Sequence, residues 1–234
     1  MSRPLKRRPG QPGGRRDQNR KERVRELSEA ALALFLERGI EATTIDDITA
    51  RAKMAKGSFY RYFDDKRALV DVMLKPTFTL MEQVLAHCSK ALERAKNREA
   101  MFNAYREVGG ALAGLLVEHP QLLRLYLQEC RGPALGARTG LAQFAARVSW
   151  YAVEITRKAH RHGILRPINP AVSALTVVGA TERLLLAVLS EEDVGNPLDI
   201  PESLTSLILD GLRAKGAAKP TLPLPGSGRT KRAD

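Results

Sequence analysis

Aromatic residues are scarce in this chain: one Trp, five Tyr and six Phe among 234 residues. Cysteine is scarcer. Cys88 and Cys130 cannot build the disulfide framework of a small secreted domain, and a reducing cytoplasm is the simplest compartment for them. The four histidines offer no metal centre. His160 and His162 stand two apart in a helical stretch, where side chains diverge. Long apolar runs are missing too. The longest charge-free run, 167–181, holds two prolines and an asparagine, short of the about 18 apolar residues that a membrane span needs. The basic N-terminus lacks the apolar stretch of a secretory signal. No membrane partner is expected.

Positive charge is plentiful and unevenly placed. Residues 1–25 carry ten Lys/Arg against two acids, and residues 213–234 carry six against one. Those two ends hold +8 and +5 of a net +12, so the stretch between them is near neutral at −1. Basic arms of this kind either bind polyanions or keep a protein in solution. Residues 1–16 and 215–234, rich in Pro, Gly and Arg, cannot bury an apolar face and read as a disordered arm and tail.

Between the ends, apolar residues recur at three- and four-residue steps, with Gly and Pro as punctuation. The pattern predicts an all-α chain of about nine helices. The first, over 17–38, has the stripe Val24, Leu27, Ala31, Leu34 and Phe35, with Gly39 placed to end it. Thr44 and Asp47 form a capping box for a second helix over 44–52. A third follows over 56–62, and Asp64 or Asp65 caps a fourth, which Pro76 should kink or break near Lys75. Longer helices follow over 98–117, 120–130, 137–162, 170–190 and 201–215.

The scarce aromatics gather in one place. "KGSFYRYF", residues 56–63, holds four of the twelve. Two short helices, 44–52 and 56–62, joined by a three-residue turn, have helix-turn-helix spacing. In such a unit the second helix enters the major groove by its leading end. Gly57 would allow close backbone approach there, Ser58 offers a donor and an acceptor, and Lys56 adds charge. Phe59 and Phe63, four apart, face the core. Tyr60, Arg61 and Tyr62 lie off that face, where tyrosine can lie along sugar and phosphate. Lys66 at the start of the fourth helix, beside free amide hydrogens, would welcome a phosphate. Spacing alone also fits a plain three-helix core with a solvated face.

Residues 30–74 closely resemble the DNA-binding domain of tetracycline-repressor-type (TetR family) transcription regulators. The matching marks are Phe35 and Gly39, Thr44 before "IDDI", the run Gly57-Ser58-Phe59-Tyr60, Phe63 and Lys66. The resemblance implies a dimeric repressor in two parts: a DNA-binding domain over 17–75, with its motif at 44–63, and an effector-binding and dimerisation domain over 76–214. It places Thr44, Lys56, Gly57, Ser58, Tyr60, Tyr62 and Lys66 against a palindromic double-stranded operator, with Arg61 at a variable base-reading or phosphate position. Two positions depart from the family pattern. Lys53 stands where Gly is frequent in the turn, at a cost of about 1–2 kcal/mol if left-handed. Ala55 stands where Ser or Thr often caps the recognition helix, at a cost of about 0.5–2 kcal/mol. Arg15, Arg16, Arg20 and Lys21 lead into the first helix and would hold phosphates.

The rest of the chain carries no catalytic or metal-ligand spacing, so neither an enzyme nor a cofactor is expected. An effector pocket between the fourth and eighth helices would be lined by Phe102, Tyr105, Leu112, Leu123, Tyr126, Leu127, Phe144, Trp150 and Tyr151. These residues suit an apolar small molecule. The eighth helix is apolar over most of its circumference. Val177, Ala180, Leu184 and Ala187 would form a homodimer seam, with Gly179 and Ala180 allowing close approach. Release would come from a ligand-driven tilt of the fourth helix about Pro76. Two other readings stand beside this one: an architectural helical protein acting through its basic ends, and a DNA-addressed enzyme.

Overall fold

A computed structural model describes residues 14–95, 98–161 and 168–210. The arm over 1–13 and the tail over 215–234 lie outside the described residues, as do His162 and the end of the last helix beyond 210. Among the described residues the chain is all-α, with nine α-helices and two 3-10 turns. The helices are α1 (Arg15–Arg38), α2 (Ile45–Arg51), α3 (Lys56–Phe59), α4 (Lys66–Arg94), α5 (Arg98–Glu118), α6 (Pro120–Glu129), α7 (Thr139–Arg161), α8 (Pro170–Leu189) and α9 (Ile200–Asp210).

The first three helices close a small core. Leu27, Ala31, Leu34 and Phe35 of α1 are buried against Ile40, Ile48, Phe59 and Phe63. Gly39 ends α1 at φ +84°, and its amide donates to the Phe35 carbonyl at 2.8 Å. A residue with a Cβ would be strained there, because left-handed backbone suits glycine. The capping box forms as the sequence predicts. Asp47 N donates to the Thr44 hydroxyl at 3.1 Å, and Thr44 N donates to Asp47 Oδ2 at 2.9 Å.

Helix α4 is the spine. It packs on α5 and α7, α7 carries α8, and α9 lies on α5. Asp65 caps it, accepting from Ala68 N at 2.7 Å. The expected break at Pro76 does not occur, for α4 runs through Pro76 without interruption. Proline deprives the Val72 carbonyl of its helical donor, but Val72 is exposed and water can satisfy that oxygen. Burial against α5 and α7 carries the helix on past Pro76 to Arg94. The division expected between Lys75 and Pro76 therefore falls inside one helix.

By length and composition α8 is apolar enough to cross a bilayer, because Glu182 and Arg183 are too few to lower its hydropathy. Both charges have partners here. Glu182 pairs with Arg131 of the α6–α7 connection, and Arg183 pairs with Glu192 at 2.6 Å.

Candidate nucleic-acid interface and effector cavity

The helix-turn-helix face sorts its aromatics as the spacing predicts. Phe59 and Phe63 are buried, their ring centroids 5.4 Å apart, and Tyr60 is turned outward with 53% of its surface exposed. Arg61 is exposed, Ser58 is half-buried, and Tyr62 packs partly against the core. Gly57 has open space where a Cβ would stand, so nothing beneath it demands glycine. Lys56 is exposed and grips Asp46 at 2.7 Å. That ion pair sits in water and contributes little stability. Lys53 adopts φ +54°, the left-handed turn the sequence foresaw, and Ala55 gives α3 no side-chain cap.

Two expected contacts are otherwise engaged. Thr44 donates its hydroxyl hydrogen to Asp47 Oδ2 at 2.6 Å, so its first duty is to start α2. Those bonds, with the Arg38 guanidinium at 2.7 Å, hold the Asp47 carboxyl down at about 2. Lys66 does not present a bare charge to a phosphate. Its ammonium donates to the carbonyls of Ile40 (2.6 Å), Thr43 (2.8 Å) and Glu41 (3.3 Å). Partial burial lowers its pKa. With Asp65 capping α4, both reasons for a phosphate at this point are met from within the chain.

The sequence reading missed the device on the other side of the same loop. Glu129, at the end of α6, is 5% exposed. Its Oε1 accepts from Ile40 N at 3.0 Å, and its Oε2 accepts from Arg138 Nε. The loop after α1 is thus held from α4 by Lys66 and from α6 by Glu129. A signal existed, since Leu122, Leu125, Tyr126 and Glu129 share one helical stripe, and an acid in an apolar stripe calls for a buried partner.

Helix α6 also walls a cavity of about 330 Å³ enclosed by α4 to α9. Of the expected lining, Tyr105, Leu112, Leu123, Tyr126, Leu127 and Phe144 are there. Three residues are corrected. Trp150 points outward, 59% exposed, because it lies on the opposite side of α7 from Phe144 and Ile155. Tyr151 packs on the core at the edge of that inward face. Phe102 sits about one turn before Tyr105, beyond the cavity's end. Phe78 was overlooked. Its ring stacks on Phe144 at 3.8 Å and 4°, and Tyr126 meets both edge-on. Helix α9 also contributes, through Ile200 and Leu204.

The expected seam on α8 is corrected as well. Val177 lines the cavity and Ala187 is buried, so that stripe faces inward, with Ala180 and Leu184 half-buried beside it. The outward face carries Val172 (60% exposed) and Leu175 (51%), with Gly179 between them and Arg183. Helical phase explains the error. With apolar residues all round, periodicity could not choose the outer side.

Neither thiol is poised for chemistry. Both are free and buried, and burial pushes Cys88 up to about 12 and Cys130 up to about 11. No group of residues able to hold a metal ion occurs among the described residues.

Comparison with known proteins agrees with this architecture. The family described as "Bacterial regulatory proteins, tetR family" matches residues 27–73. An HTH-type transcriptional regulator of Mycobacterium bovis, Mb3439c, is 32% identical over 137 residues, covering 56% of this chain and 73% of that protein. The chain belongs to the tetR family of bacterial regulatory proteins. The HTH-type transcriptional repressor KstR2 of Rhodococcus jostii is 46% identical over 50 residues, 21% of this chain and 24% of that one. The regulator YuxN of Bacillus subtilis is 30% identical over 113 residues, 47% of this chain and 35% of that one. The match to these last two thus spans about a third of their length or less. Among solved structures, FadR of Bacillus subtilis in complex with stearoyl-CoA shares the fold at TM-score 0.60 and 16% identity, covering 81% of this chain and 99% of that one. NalD, a repressor of a Pseudomonas aeruginosa efflux pump, does so at TM-score 0.60 and 18% identity, covering 83% and 97%. These relatives and neighbours are regulators, not enzymes.

Proposed function

We propose that this chain is a cytoplasmic, homodimeric transcriptional repressor that binds a palindromic operator and is released by an apolar small molecule. The observation that carries the reading is the recognition turn. Phe59 and Phe63 fasten it from below, while Lys56, Gly57, Tyr60 and Arg61 are exposed above, Lys56 in its ion pair with Asp46, and Ser58 is half-buried beside them. Tyr62, half-buried, and Thr44, through the leading end of α2, support the same face. Arg15, Arg16, Arg20 and Lys21 extend the positive surface along α1, all exposed. Lys66 serves by fixing the loop after α1 rather than by gripping a strand.

In this reading the part up to Lys75 reads DNA, the part from Pro76 onward senses the effector, and α4 belongs to both. Two copies meet across the outward face of α8, where Val172 and Leu175 leave apolar surface exposed, and Leu207 of α9 lies exposed as well. A twofold pair places two recognition turns on successive grooves. The effector occupies the cavity, as stearoyl-CoA accompanies FadR in a neighbour of the same fold. It acts by favouring one placement of α4 and α6, and α6 reaches the DNA-binding part through Glu129. Differential affinity of a few kcal/mol is enough to depopulate the DNA-bound form.

Selection of bound sequences from random DNA with the full chain tests this. A symmetric motif with half-sites about one helical turn apart is the expected result. Enrichment without a motif would leave only charge-driven binding by the basic ends.

A further inference from the structure

The cavity is long for its volume. Its α4 wall runs from Leu74 to Cys88, roughly 20 Å at about 1.5 Å of rise per residue. Spreading about 330 Å³ along that length leaves a mean section of roughly 16 Å², the square of the about 4 Å that separates carbons in contact. A single hydrocarbon chain fits such a mean section. At about 30 Å³ per heavy atom of condensed matter, the value for water, the volume holds about a dozen atoms.

The walls also restrict the ligand's charge. Among the described lining residues, Glu182 is the one charged side chain. Its carboxylate is already answered by Arg131 and by the Tyr126 hydroxyl at 3.4 Å. A cation would have to displace Arg131, and an anion would lie beside a carboxylate. Each carries a desolvation cost that nothing in the walls repays.

The two ends differ. Near the α5–α6 junction Val117 lines the cavity and is exposed, so this end is open. The opposite end is closed by buried Cys88, Leu92, Met101 and Ala104. There Tyr105 lines the cavity and its hydroxyl has no hydrogen-bond partner among the described residues. Burial raises its pKa, so it remains a neutral donor. A phenol left unpaired against a methyl group is costly, and one facing an oxygen is not.

We infer that the cavity takes a neutral single-chain lipid of about a dozen heavy atoms, its hydroxyl or carbonyl oxygen meeting the Tyr105 hydroxyl at the closed end. The inference rests on the reading of this cavity as the effector site and adds the ligand's class and orientation.

The test titrates the full chain with dodecan-1-ol, dodecan-2-one, dodecane, dodecanoate, dodecyltrimethylammonium and a sterol, below their aggregation limits. Binding is read by thermal shift, and release of the selected DNA is read separately. The alcohol and ketone should bind at least about tenfold tighter than either charged chain. Tyr105→Phe should weaken the alcohol about tenfold, the loss of one net hydrogen bond, and should tighten dodecane, whose methyl then no longer faces an unpaired hydroxyl. Leu112→Trp should block every chain by filling the section. The inference is overturned if a charged chain matches the alcohol, if the sterol binds more tightly, if nothing binds, or if Tyr105→Phe leaves the alcohol's affinity intact. Where Tyr105→Phe fails to fold, the ranking of neutral over charged chains in the unaltered protein decides. A sterol that releases DNA would sink the ligand class and keep the effector reading. An alcohol that binds without releasing DNA would do the reverse.

Discussion

Phe35, Ile40, Ile48 and Phe59 close the core of the first three helices with 1% exposure or less. Side chains of the same chemistry in α4 to α9 surround a cavity of about 330 Å³. The first arrangement fixes a surface, since the backbone of the recognition turn has no room to move beneath its exposed residues. The second leaves contacts unmade and a wall able to rearrange around a guest. In the proposed reading, DNA recognition and ligand sensing are separated by packing density more than by sequence position, and α4 runs through both parts.

The largest expected effect breaks that contrast directly. Phe59→Ala removes a fully buried ring from the dense core and should cost about 3–5 kcal/mol, abolishing operator binding and lowering the thermal midpoint. Leu116→Ala, at the half-buried cavity wall, loses contacts on one side only and should cost about 1–2 kcal/mol, close to the transfer cost alone. Operator binding should survive it. Calorimetric melting of the two variants decides. Equal losses would mean that the cavity wall is as tightly coupled as the core.

A second, smaller effect probes the joint between the regions. Glu129→Ala leaves the Ile40 amide and the largely buried Arg138 guanidinium without their partner. Breaking a buried pair from one side costs about 3 kcal/mol or more. Glu129→Gln keeps an acceptor for the amide and should lose less. Amide exchange at Ile40 should quicken strongly in the Ala variant and weakly in the Gln variant. Unchanged exchange would show that Lys66 alone holds the loop.

The two regions also differed in how far the sequence disclosed them. Short-range rules governed the DNA-binding part. The Thr44 and Asp47 capping box and the inward Phe59 and Phe63 were legible from neighbours within four residues, and the left-handed Lys53 from the family resemblance, in which Gly is frequent at that place. Longer-range geometry decided what was misread. Lys66 met carbonyls 23 to 26 residues away, and Glu129 met an amide 89 residues away. Trp150 and the seam on α8 depended on which side of a helix faced a partner, and a helix apolar on several sides leaves that undetermined. Pro76 failed as a breaker because tertiary packing outweighed local propensity.

The smallest expected effect lies wholly within the legible region. Asp47 is held at about 2, below its ordinary 3.8, first by the Thr44 hydroxyl, then by the Thr44 amide and Arg38. A lowered folded-state pKa means that the ionised cap favours the fold at every pH above 3.8. That contribution fades as pH falls from about 4 and is gone once Asp47 is protonated near 2. Thr44→Ala removes the hydroxyl that donates to Asp47 and accepts from its amide. It should cost about 1 kcal/mol at neutral pH and move the Asp47 titration upward, towards 3.8. Carboxyl carbon shifts followed by NMR from pH 6 to 1.5 measure both forms. If the titration stays near 2 without the hydroxyl, the backbone amide of residue 44 and Arg38 hold Asp47 between them. The share of Arg38 would then show as a titration that moves upward with added salt, because that exposed ion pair is screened.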